Sequence, residues 1–140
     1  MIRVSIVLAI IGCCTPLMAQ RTTFASRIGD TSYTVDLTPG LFSDSTPAAL
    51  YREEAGRNVW AVDAEVTLES ASEVAIIEAK RLLGNKYGTE WTLRTAGRKV
   101  SGYNGKYFHH YHFDFRPKRG SENLQIIVRL DGALIPATQK

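Results

Sequence analysis

The 140-residue chain has only two cysteines, Cys13 and Cys14, adjacent to each other near its start. The folded part after them has no disulfide, no thiolate metal site and no cysteine nucleophile, so its stability must come from packing. Acidic residues are scarce toward the C-terminus: residues 91–140 hold 3 Asp/Glu against 9 Lys/Arg, whereas residues 20–90 hold 11 against 7. The later half is therefore the basic one. A formal net charge of +3 is small, and with export it argues against nucleic acid as a partner. The sequence also lacks a Gly-x-Ser-x-Gly elbow, a phosphate loop, a paired zinc motif and a convincing acid pair, since Glu53-Glu54 reads as the solvated face of a short helix. Neither catalysis nor a cofactor is expected. No internal repeat or low-complexity segment breaks the chain, and its length suits one globular domain.

The first twenty residues, MIRVSIVLAIIGCCTPLMAQ, place Arg3 ahead of an uncharged apolar run that ends at Pro16. The run is shorter than the roughly 18–20 apolar residues a bilayer span needs, so the segment reads as an export signal. Cleavage after Ala19 would remove residues 1–19, leaving a mature chain with no transmembrane span. The stretch Ile10-Ile11-Gly12-Cys13 also resembles a bacterial lipobox, which would make Cys13 a lipid-anchored terminus. Either route puts the protein outside the cell or in the periplasm or cell envelope.

Residues 20–30 are polar and without periodicity, which predicts a flexible linker ahead of one domain at 31–140. Tyr33, Val35 and Leu37 alternate with polar residues as a short strand does. In STPAALYREEAG, a cap at Ser45 or Thr46, Pro47 in the first turn and Gly56 at the exit predict a short helix. Residues 58–69 place Trp60, Val62, Ala64, Val66 and Leu68 on one parity, as in a half-buried strand. Ser70 and Glu73 then stand at capping-box spacing before an apolar stripe of Val74, Ala75, Ile77, Ala79, Leu82 and Leu83, with Gly84 closing the helix. Past it the period becomes two: Trp91, Leu93 and Thr95; then 107–115; then Leu124, Ile126, Val128 and Leu130. Asn104-Gly105 marks a two-residue hairpin turn, residues 117–121 a longer one, and Asp131-Gly132 allows a last short strand through Ile135. The expected class is α+β, an antiparallel sheet wrapped on one main helix, with an extra N-terminal strand and short helix.

That element order resembles the cystatin-like superfamily, which includes the cystatins and the small extracytoplasmic PepSY domains. In cystatins the first hairpin after the helix carries a Gln-x-Val-x-Gly signature that blocks papain-like proteases. Here the same place reads Arg98-Lys99-Val100-Ser101-Gly102. Val100 and Gly102 match, Arg98 replaces the glutamine, and no Pro-Trp pair accompanies Asp131-Gly132. The resemblance implies an inhibitor loop at Val100, Ser101 and Gly102. The residues themselves favour an ordinary hairpin with a bulge at Gly97.

The strand KYFHHYHFDFR holds all three histidines. One parity carries Tyr107, His109, Tyr111, Phe113 and Phe115, the face expected to pack on the helix, with His109 as a core histidine satisfied by a neighbour. The other carries Lys106, Phe108, His110, His112, Asp114 and Arg116. His110 and His112, about 6–7 Å apart along a strand, with Asp114 offer a weak metal site. Hairpin pairing would add Arg94 and Arg98 on one side and Gln125, Ile127 and Arg129 on the other. Arg94, Arg98, Lys106, His110, His112 and Arg129 would then form a basic face for an envelope or extracellular protein, an anionic polymer or lipid headgroups. The leading expectation is an exported, non-catalytic binding module. A protease inhibitor and a His-based metal-binding protein are the alternatives.

Overall fold

The computed structural model describes residues 22–140, so the export segment with Cys13 and Cys14 lies outside the described residues. The fold is α+β, with antiparallel sheets and, among the described residues, one long helix. Among the described residues no helix is long and apolar enough to cross a membrane.

The chain enters order earlier than its polarity suggests. Residues 20–30 are not a linker throughout, because β1 (Thr23–Ile28) alternates exposed with buried residues and pairs with β2 (Thr31–Asp36). Phe24, Ser26 and Ile28 point inward at period two, and the two apolar ones, Phe24 and Ile28, each join a core cluster.

The helix expected near 45–56 is replaced by a hairpin of β3 (Tyr51–Glu54) and β4 (Arg57–Trp60). Its turn is Ala55-Gly56, with φ of 52° and 78°. Left-handed geometry at both central residues matches the twist of the flanking strands. The hairpin closes on itself through the stacked rings of Tyr51 and Trp60, 4.8 Å apart, with an Arg52–Glu54 ion pair at 2.6 Å running along β3.

Residues 61–66 keep part of the expected inward parity, with Val62, Ala64 and Val66 packed on the core, but they form no strand. Their backbone bonds are irregular: the amides of Glu65 and Val66 share the Leu130 carbonyl, and the Val66 carbonyl accepts the Tyr111 hydroxyl at 2.6 Å. Helix α1 (Leu68–Leu83) starts three residues before the expected cap, at Thr67, whose hydroxyl accepts from the Ser70 amide at 3.1 Å. It ends at Gly84, φ 61°, as its sequence predicts. The stripe is narrower and smaller than expected. Ala71, Ala75, Ala79 and Leu83 are buried, while Ile77 is 70% exposed. Alanines at every fourth position let the helix sit close on aromatic side chains.

Those aromatics belong to the four-stranded sheet, in the order β5 (Trp91–Tyr103), β6 (Lys106–Pro117), β7 (Leu124–Arg129), β8 (Leu134–Ile135). Tyr111, Phe113 and Phe115 pair with Val128, Ile126 and Leu124 and meet α1 in the main core. The opposite face is covered as well. A three-stranded sheet, in which β9 (Thr138–Gln139) and β1 flank β2, lies across it, burying Phe24, Val35, Leu37 and Phe42 against Ile127.

Candidate binding site

The second layer decides the fate of the histidine face. His110 is fully buried and Asp114 is 9% exposed, with Phe24 edge-on to His110 at 5.9 Å and 5.4 Å from His112. The expected basic face is therefore an interior. The Tyr111 carbonyl can only accept, so His110 Nδ1–H donates to it at 3.3 Å and Nε2 is left to accept the Ser101 hydroxyl at 2.9 Å. Burial holds the His110 imidazole well below its ordinary pKa, at about 4; the bond to Tyr111 opposes this and His112, His109 and Lys99 add to it.

The weak metal site does not assemble. Both nitrogens of His110 are engaged, His112 Nε2 meets Gln125 at 2.8 Å, and Asp114 Oδ2 holds Arg116 at 2.9 Å. Among the described residues no group of three His, Cys, Asp or Glu side chains can hold a metal ion. The Ser101–His110 contact has the form of an activated hydroxyl, yet both side chains are sealed from solvent. His109 is buried as its parity suggests but only half satisfied: Nε2–H donates to the Pro47 carbonyl at 2.8 Å, while Nδ1 is buried without a partner.

The inhibitor loop also falls inside a strand. Val100, Ser101 and Gly102 pair with His109, Phe108 and Tyr107, and the hairpin tip is Asn104-Gly105. A wedge needs a tip. The bulge lies between Leu93 and Thr95, at Arg94, while Gly97 pairs regularly with His112. One inserted residue reverses the parity of everything after it. Arg98 consequently pairs with Tyr111 on the helix side, away from His110.

This reversal builds an open, chemically distinctive surface around Arg98. The Arg98 guanidinium stands 4.2 Å over the Trp60 ring and 5.6 Å from that of Tyr111, and Nη1 donates to the Val62 carbonyl at 2.6 Å. Trp60 remains 38% exposed and its partner Tyr51 50%. Beside them opens a cleft of about 370 Å³, walled by Trp60, Val66, Leu68, Arg98 and Tyr111. Arg98 thus presents a fixed planar cation at the lip of an apolar groove. Of the other expected residues, Arg94 and Lys106 are exposed, and Arg129 pairs with Asp131 at 3.1 Å. They form no common patch with His110 and His112. Trp60 and Tyr51 were missed because parity assigned Trp60 to a half-buried strand and Tyr51 to a helix. The one usable signal was two aromatics flanking Ala55-Gly56 at equal distances.

No protein-family model, curated protein or solved structure matches the chain.

Proposed function

We propose that the protein is a small exported, non-catalytic binding module whose recognition surface is the Trp60–Arg98 cleft. The signal-like segment at residues 1–19 supports export to the periplasm, cell envelope or exterior. A long helix, α1, followed by an antiparallel meander supports the cystatin-like reading of the fold. The observation that carries the function is Arg98 held over an exposed tryptophan beside an open groove. Exposed aromatic and arginine side chains are the commonest anchors of protein interfaces, and the stack fixes this pair in place before a partner arrives. An envelope or extracellular partner with acidic character fits the charge of the residues after Trp91.

The test uses the purified protein as bait against envelope and secreted fractions, beside a Trp60→Ala, Arg98→Ala double variant and an Ile77→Asp control on the outer side of α1. A partner retained by wild type and the control but lost by the double variant is the expected result. Equal capture by all three proteins rejects the cleft as the binding surface.

A further inference from the structure

The outer margin of β5 is the longest unpaired backbone in the described fold. β5 is a 13-residue strand at the end of the sheet. From Thr92 to Tyr103 its backbone bonds only to β6 among the described residues. Proteins usually blunt such margins with bulges, charges or a covering segment. Here the bulge at Arg94 blunts only the beginning. Beyond it come Ala96, which is exposed, and Gly97, which is half-buried, small residues that let another backbone approach, and a Cβ added at Gly97 would meet nothing within 4 Å.

We propose that β5 receives an extended acidic segment of a partner protein as an added antiparallel or parallel strand. This deepens the cleft reading and rests on it. Charge selects the occupant. Arg94, Arg98 and Lys99 are the charged residues of β5, and no acid stands among them. Arg94 and Lys99 are exposed and enter no ion pair among the described residues. A second copy is disfavoured, because pairing β5 with itself sets these cations against one another. Geometry specifies the pattern. Side chains of an added strand alternate between the two faces of the sheet. One parity would enter the apolar cleft beside Trp60 and Leu68, and the other would stand beside Lys99. The segment should therefore alternate apolar residues with Asp or Glu, the pattern by which strand addition combines main-chain affinity with side-chain selection.

The test uses fluorescent twelve-residue peptides alternating Glu with Val, Ile, Leu or Phe, titrated against the full protein. The controls are the same peptides with Lys for Glu, and two N-methylated forms, one blocking the Glu amides and one the apolar amides. At least one acidic peptide is expected to bind, with affinity falling as salt rises. One N-methylated form should lose binding while the other keeps it, because only alternate amides face the margin. Lys99→Glu should weaken binding by about tenfold, the scale of one interfacial charge. Hydrogen exchange at β5 amides should slow on binding. Absence of binding by every acidic peptide at millimolar concentration overturns the proposal. So does equal binding of the Lys peptides, or indifference to both N-methylations, which would mean side-chain docking only. Self-association through β5 that acidic peptide does not disrupt also overturns it, in favour of a second copy. If the peptides fail while a partner still depends on Trp60 and Arg98, the cleft reading survives without strand addition.

Discussion

At the β7 margin of the sheet, β8 pairs with Ile127 and Val128, and β1 takes over where β8 stops: the Arg27 amide donates to the Asn123 carbonyl at 3.0 Å and Ser26 Oγ accepts from the Gln125 amide at 2.8 Å. At the β5 margin no strand among the described residues does the same, and the neighbouring residues form a cleft beside the exposed Trp60 ring. The covered side has committed its polar groups and apolar area to the fold, and so carries stability. The open side keeps backbone donors, cations and an aromatic wall in reach of solvent, and so is where binding is affordable.

The largest test of that division is Phe24→Ala. Phe24 is 6% exposed and packs on His110 and His112, tying the second layer to the sheet. Its truncation should cost about 3–5 kcal/mol in urea unfolding, as for other buried aromatics. A loss under about 1 kcal/mol would show that the second layer is peripheral to stability and that the two margins do not differ as argued.

Acid provides the next largest effect. His110 takes up a proton near pH 6.5 when unfolded and only near pH 4 when folded. Between those values the unfolded chain binds more protons, so stability falls as pH falls from about 6.5 to about 4, and this contribution levels off below. The loss should reach roughly 3 kcal/mol. His110→Gln keeps hydrogen-bonding capacity without the titration, and the wild-type minus variant difference isolates the histidine. Identical pH slopes for the two proteins would place the acid sensitivity elsewhere.

A smaller, paired comparison addresses the margins directly. Ser26→Ala leaves the Gln125 amide without its hydroxyl partner and should cost about 1–3 kcal/mol. Thr92→Ala at the start of β5, an exposed position, should stay within about 0.5 kcal/mol. Equal costs in urea unfolding would remove the energetic distinction between the two sides.

Sequence periodicity made much of this architecture legible, and its failures have physical reasons. Asn104-Gly105, the exit of α1 at Gly84 and the aromatic parity of β6 are local signals, and each appears where it was read. Parity tells which residues share a face, but not whether another layer covers it. His110 and Asp114 looked exposed for that reason, and β1 looked like linker because its Phe24 packs on a face formed over 80 residues later in the chain. The bulge at Arg94 has no glycine or proline to announce it, yet it moves Arg98 to the opposite side. Ala55 occupies a left-handed position usually given to Asn, Asp or Gly, so the hairpin resembled a helix end.

The smallest expected effect is the most informative about the open margin. Trp60→Ala and Arg98→Ala, singly and together, form a double-mutant cycle on the 4.2 Å stack. A partly exposed cation–π contact should give a coupling of about 0.5–1 kcal/mol in unfolding. Arg98 is also tied to the Val62 carbonyl, so Arg98→Ala should destabilise more than the coupling alone, whereas Trp60→Ala chiefly frees the Arg98 head. A pair retained for binding should lose far more affinity than stability when cut, because a loosened guanidinium must be ordered again each time a partner docks. A coupling of several kcal/mol would instead make the stack a structural clamp, and the open margin would then contribute to the fold as the covered one does.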